Sequence, residues 1–166
     1  MKVIMLAAGV GSRLGFAGRD HPAKILLRFG GKSLLQYHIE TLRGQGIDEL
    51  VLGVGYHYQD INQEIAELGA QDFVRTVFNE SYEEGNIVTL WTLRDELCCD
   101  EAVLLMDADV LYDKELISRL LHSSHQNCLL LDRDFDPGDE PVKLCIRDGE
   151  IVELRKWVSA EFDFCG

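Results

Sequence analysis

Short apolar runs alternating with amphipathic stretches constrain this chain more than any other feature. KVIMLA (2–7), ELVLGV (Glu49–Val54), FVRTVFN (73–79), AVLLMDAD (102–109) and NCLLLD (127–132) read as strands. Between them, apolar residues recur at helical spacing. The first such stretch carries Leu34, Leu35, His38 or Ile39, and Leu42, with Ser33 as its cap. Others carry Ile61, Ile65 and Leu68; Ile87, Leu90, Leu93 and Leu97; and Leu116, Leu120 and Leu121 after Asp113, a further cap. Strands alternating with helices of this length predict βαβ units and an α/β fold, a mostly parallel sheet flanked by helices. The rhythm changes near the end: VKLCIRDGEIVELRKW predicts a C-terminal β-hairpin turning at Asp148-Gly149. No linker or internal repeat interrupts the chain, and its length suits one domain.

In such a sheet, ligands sit at the carboxyl ends of the strands, near a reversal of strand order. The loops that matter therefore follow Ala7, Val54, Phe78 and Met106. The first, AAGVGSRLG, fails the dinucleotide fingerprint: Gly9 and Gly11 fit, but Leu14 stands at the third glycine position. GGKS at 30–33 is no P-loop either, because Leu26 stands where its first glycine belongs. What remains is a loop rich in backbone N–H groups, with the Ser12 hydroxyl and the Arg13 guanidinium. Such a loop can cradle phosphate oxygens. It can equally be a glycine-rich connection with a solvated arginine, and the loop alone leaves the two readings level. The strand LLMDADV carries Asp107 and Asp109 at its carboxyl end, two residues apart and so on one side. Paired carboxylates there suit Mg²⁺, a hard cation that takes oxygen ligands and keeps waters.

The net charge of −13 argues against a nucleic-acid-binding surface, which needs clustered Lys and Arg, but leaves room for one small phosphorylated ligand held with a metal. The five cysteines are odd in number and form no CxxC pair, and Cys128 and Cys145 lie in apolar runs where a thiol acts as a small buried hydrophobe. They fit a reducing compartment, so the chain is expected to be cytoplasmic. The apolar run after Lys2 is too short and glycine-rich for a signal peptide, and no run approaches the roughly 20 apolar residues of a membrane span. Nothing in the sequence sets an oligomeric state.

One resemblance is specific. LAAGVGSRLG, then PAKILL, then GGKSLLQYHIETL, resembles the nucleotidyltransferase family that makes NDP-sugars and CDP-alcohols, which implies a Rossmann-like fold of the GT-A type. The resemblance implies that Leu6, Ala7, Ala8, Gly9, Gly11, Ser12 and Arg13 wrap a triphosphate, with Arg13 as a catalytic cation. Lys24 would be the family's catalytic lysine on the reacting phosphates, here with Ala23 inserted after Pro22. The family's metal-binding aspartate maps to Asp109, with Asp107 as the second choice. FNESYEEGNIVTLWTL resembles the corresponding stretch of phosphocholine-type cytidylyltransferases, and implies that Asn79, Asn86 and Thr89 serve the nucleotide. Amides donate and accept, which suits a pyrimidine edge, although Asn86 alone also reads as a helix cap. The later LLLDRDFDPGDEPVKL segment implies that Asp132 and Lys143, with Glu140 nearby, lie on the substrate side. Trp91 and Trp157 are candidates for a quaternary-ammonium cage, but Trp91 at helical spacing is expected in the core. Family domains run further, to another strand and a second metal-binding aspartate, so the resemblance implies a nucleotidyltransferase domain over 1–166 that is incomplete at its C-terminus.

The expected reaction joins a nucleoside triphosphate, CTP by preference, to a small phosphorylated alcohol or phosphonate, releases pyrophosphate and uses Mg²⁺. Two alternatives stay open: a hexose-1-phosphate or molybdopterin-type nucleotidyltransferase, and a non-catalytic nucleotide-binding domain.

Overall fold

The computed structural model describes residues 1–11, 21–132, 134, 142–159 and 161–165. Ser12, Arg13 and Glu140 lie outside them. The chain packs as two compact units, Met1–Ile117 and Ser118–Gly166.

The first unit follows the expected alternation. Strand β1 (Lys2–Ala7) leads, by way of a single 3₁₀ turn at Lys24–Leu26, to a small antiparallel pair, β2 (Arg28–Phe29) and β3 (Lys32–Ser33). Helix α1 (Leu34–Gly44), strand β4 (Glu49–Val54), helix α2 (Tyr58–Glu67) and strand β5 (Val74–Phe78) follow. Two short helices, α3 (Asn86–Thr92) and α4 (Arg94–Leu97), lead to β6 (Val103–Asp107), and α5 (Lys114–Leu121) comes after it. Ser33 caps α1 as expected, its hydroxyl accepting the Gln36 N–H. Asp113 accepts the Glu115 N–H at the start of α5.

The four long strands pair in parallel in the order β5-β4-β1-β6. The chain winds outward from β1 through β4 to β5, then crosses back to lay β6 on β1's other side. The order therefore reverses between β1 and β6, and a crevice opens there at the carboxyl ends. The central strands β1 and β4 are buried on both faces, as a parallel sheet favours. Ile4, Val51 and Leu93 form one cluster, with Leu6, Val77, Leu97 and Val103 against it. Val3, Met5, Leu50 and Leu52, on the alternate positions, are also fully buried. Each such side chain contributes about 1.5–3 kcal/mol by leaving water.

Several expectations fail, each for a physical reason. Of the stripe Ile87, Leu90, Leu93 and Leu97, Leu93 is fully buried and Leu97 packs against its cluster, but Ile87 is 71% exposed, and Trp91, expected in the core, is 68% exposed. Helix α3 instead turns Thr89 inward, and a Cβ on Gly53 would lie 2.7 Å from both Thr89 Cγ2 and Leu93 Cδ1. A missing side chain on β4 thus lets α3 settle on the sheet through Thr89 as well as Leu93, and hydrophobic spacing does not register the threonine. Trp91 covers itself with the Arg94 guanidinium, 5.2 Å from its ring centre.

In the second unit, 127–132 forms no strand. Leu129 and Leu130 are 48% and 44% exposed, and Cys128 is exposed rather than buried. An apolar run becomes a strand only where its backbone finds a ladder partner, and among the described residues this one has none. The hairpin does form: β7 (Lys143–Arg147) pairs antiparallel with β8 (Glu150–Arg155), and β9 (Phe164–Cys165) adds to the far side of β7. Asp148 and Gly149 take φ of 54° and 81°, the left-handed pair that a type I′ turn demands. Cys145 is fully buried on β7.

Candidate active site

The crevice between β1 and β6 is lined by Leu6, Ala7 and Gly9 after β1, Lys24 and Ile25 on the 3₁₀ turn, Asn86 at the start of α3, and Asp107, Ala108 and Asp109 after β6. Each reaches it for a local reason. Ala23 and Ile25 are 1% exposed and anchor the turn on either side of Lys24. The turn closes through the Leu26 N–H on the Ala23 carbonyl and the Leu27 N–H on the Lys24 carbonyl. Gly11, at φ 70°, lies against the Lys24 stem, and a Cβ there would meet Lys24 Cε at 3.2 Å. Glycine is needed both for the conformation and for the lysine's passage. Asn86 leans toward Gly9, where an added Cβ would lie 3.9 Å from its Oδ1.

The central contact joins residues 85 apart in sequence: Lys24 Nζ donates to Asp109 Oδ2 at 2.6 Å. Asp107 completes a cluster of two acids and one base. Its carboxyl is pushed above the usual range, first by desolvation and then by the Asp109 charge, with Lys24 pulling the other way. One lysine therefore undercompensates two carboxylates, and the pocket favours additional positive charge. Among the described residues no group of three or more His, Cys, Asp or Glu comes together as a metal cluster. Two carboxylates still fit Mg²⁺, which takes its remaining ligands from water and substrate phosphates.

Other expected residues stand elsewhere. Ala8 is 2% exposed, and its carbonyl accepts the Tyr56 N–H, so it supports the loop from beneath. Asn79 and Thr89, each 2% exposed, bind each other: Asn79 Nδ2 donates to Thr89 Oγ1 at 3.0 Å, while Asn79 Oδ1 accepts the Ser81 N–H. They tie the end of β5 to α3 and do not line the crevice. A second depression beside it is lined by Gly9, Val10, Gly11, Lys24, Tyr82, Glu83, Gly85 and Asn86. Asp132 and Lys143 belong to the second unit. Asp132 accepts the Asp134 N–H, and Lys143 Nζ donates to the Lys156 carbonyl at 2.9 Å. Trp157 is 67% exposed.

Two residues that sequence reasoning missed stand directly behind the acidic turn. His38 Nε2 contacts the Ala108 carbonyl at 3.1 Å, and the Tyr112 hydroxyl accepts the Asp107 N–H at 3.2 Å. His38 had a signal, as a polar residue in the apolar stripe of α1. Tyr112 had none.

The parallel sheet, with its strand-order reversal between β1 and β6, agrees with the comparisons with known proteins. The MobA-like NTP transferase domain matches residues 3–160. This chain belongs to that family. It is similar to the CTP:phosphoglutamine cytidylyltransferase of Campylobacter jejuni, 27% identical over 96% of this chain and 67% of the relative. It is also similar to the choline-phosphate cytidylyltransferase of Streptococcus pneumoniae, 36% identical over 58% of this chain and 41% of the relative. The chain thus spans about two thirds of the first relative and under half of the second. The inositol-1-phosphate CTP transferase of T. maritima shares the fold, with a TM-score of 0.68 over 99% of this chain and 66% of that one at 20% identity. Among the described residues, no helix is long and apolar enough to cross a membrane.

Proposed function

We propose that this chain carries a Mg²⁺-dependent nucleotidyltransferase that joins a nucleoside triphosphate, CTP by preference, to a small phosphorylated alcohol or phosphonate. The observation that carries the reading is the 2.6 Å pairing of Lys24 with Asp109 beside Asp107 in the β1/β6 crevice. An oxygen of the acceptor's phosphate attacks the α-phosphorus in line; a new P–O bond forms as the bond to the bridging oxygen breaks, and pyrophosphate leaves. The reaction needs no side-chain nucleophile, and the protein's work is positioning and charge neutralisation.

The backbone of Leu6–Gly11 offers N–H groups to the phosphates, and Gly9 and Gly11 let a ligand approach the main chain closely. Lys24 exchanges its partner Asp109 for phosphate oxygens and counters the charge that builds on the leaving group. Asp109 and Asp107 would hold Mg²⁺, which supplies Lewis-acid stabilisation of the phosphates when bound. Arg13 and Ser12, outside the described residues, are assigned to the triphosphate from the sequence resemblance, and Asp132 and Lys143 to the acceptor on the same basis. Asn86 is the amide we place on the nucleotide, with Asn79 and Thr89 supporting its segment.

The preference for CTP and for a small acceptor rests on the Asn79–Thr89 resemblance and on the names of the Campylobacter and pneumococcal relatives. Five free cysteines support a reducing setting such as the cytoplasm. Pyrophosphate release measured with each of the four NTPs against a panel of choline phosphate, inositol 1-phosphate and mannose 1-phosphate tests the reading. Turnover is expected with CTP and one of the first two. Turnover with GTP and mannose 1-phosphate alone would replace it with a sugar-nucleotide reading.

A further inference from the structure

The parallel ladder between β1 and β6 ends at the Leu6–Asp107 pair. Beyond it the main chain turns through Ala108 and Asp109, where ladder hydrogen bonds no longer hold it. Two side chains from outside the strand take over. His38, 3% exposed on α1, reaches the Ala108 carbonyl through Nε2, and Tyr112 offers its hydroxyl oxygen to the Asp107 N–H. The two rings lie side by side, with centres 6.0 Å apart. A carbonyl only accepts, so the imidazole proton must sit on Nε2. Burial pushes the His38 pKa down, against the opposing pull of the carbonyl, and so favours the neutral ring.

The stripe of α1 that holds His38 is otherwise Leu34, Leu35, Ile39 and Leu42, all buried. An imidazole there is desolvated for a single hydrogen bond, where a leucine would fill the space with less polar surface to satisfy. That hydrogen bond falls on the peptide between the two aspartates. The helix that delivers it is fixed at its start, because the capping hydroxyl of Ser33 donates to buried Glu64 at 2.7 Å, and Glu64 also takes Arg28 at 2.8 Å.

We propose that His38 and Tyr112 are positioning residues that clamp the Asp107–Asp109 main chain so that both carboxylates face Lys24 and a bound divalent cation. The proposal rests on the cation-binding role given to Asp107 and Asp109 above. Without the clamp the acidic turn keeps its residues but loses the orientation that makes them one site.

The test uses the full chain and Mn²⁺ as the probe, with free ion followed by electron paramagnetic resonance and thermal unfolding recorded in the same samples without metal. Outer-shell losses typically cost 10–100-fold in metal affinity, so His38→Leu should weaken Mn²⁺ binding by about that factor, Tyr112→Phe by roughly the lower figure, and His38→Gln, which keeps an N–H at similar reach, should recover most of it. A structural role alone would shift the unfolding midpoint and leave Mn²⁺ affinity where it was. If Asp109→Asn abolishes Mn²⁺ binding while His38→Leu binds as wild type, the clamp is wrong and the cation site stands. If Asp109→Asn binds as wild type, the cation site itself falls and takes the clamp with it. Two-bond ¹H–¹⁵N correlation on the wild-type chain gives a check free of variants: the His38 proton is expected on Nε2, and finding it on Nδ1 overturns the proposal.

Discussion

At the amino ends of the strands, Lys2 of β1 and Arg75 of β5 converge on Glu96 of α4, at 3.1 and 2.9 Å, and Arg75 also takes Glu49 of β4 at 2.8 Å. At the carboxyl ends, Lys24 meets Asp109 while Asp107 is left with burial and a like charge. Both clusters set carboxylates against cations, yet they shift their acids in opposite directions. Hydrogen bonding to Arg75 is the chief force that holds Glu96 down at about 2, whereas desolvation pushes Asp107 up. One end is neutralised within the chain and ties strands to a helix. The other is left short of positive charge, which is the condition of a site that waits for a ligand.

Breaking the undercompensated end should cost activity first. Asp109→Asn is expected to lower kcat about 10³-fold in the pyrophosphate assay, and Lys24→Met about 10²-fold in kcat/KM, with little change in unfolding midpoint for either. Breaking the neutralised end should do the reverse. Glu96→Gln is expected to cost about 1 kcal/mol of stability in urea titration at pH 7, since the pair is partly exposed and screened, and to leave kcat unchanged. The pH dependence follows from the sign of the shift. Glu96 is more acidic folded than unfolded, so its contribution is complete above about pH 4.5 and is lost as pH falls toward about 2. The wild type should therefore lose stability over that window more steeply than Glu96→Gln. The smallest effect belongs to Trp91→Ala, expected to stay within about 0.5 kcal/mol because the ring is mostly in water. A loss of several kcal/mol would restore the core position that helical spacing implied.

The same contrast separates what the amino-acid sequence revealed from what it hid. Strands β1, β4 and β6 were legible as unbroken apolar runs and β5 by its alternation, and the hairpin was legible because Asp-Gly suits two left-handed residues. The run at 127–132 was apolar too, but among the described residues it has no ladder. Helix α3 was placed and Leu93 is buried as its spacing implied, but Ile87 and Trp91 lie outside, because the helix also turns Thr89 inward against Gly53. In the site, Lys24, Asp107 and Asp109 were recognisable singly from motif and strand end. Their 2.6 Å meeting across 85 residues depends on the strand order, which local pattern does not encode. Asn79 and Thr89 carried a motif signal but proved to be each other's partners. His38 was hidden by its neighbours, since a histidine in an apolar stripe reads as core until its carbonyl partner is seen.

The central claim is that the Lys24–Asp107–Asp109 crevice binds a triphosphate together with a divalent cation. Calorimetric titration of CTP with and without Mg²⁺, on the wild type and on Asp109→Asn, tests it most directly. Mg²⁺ should tighten CTP binding at least about tenfold in the wild type and hardly at all in the variant. Equal tightening by Mg²⁺ in both proteins would contradict the account.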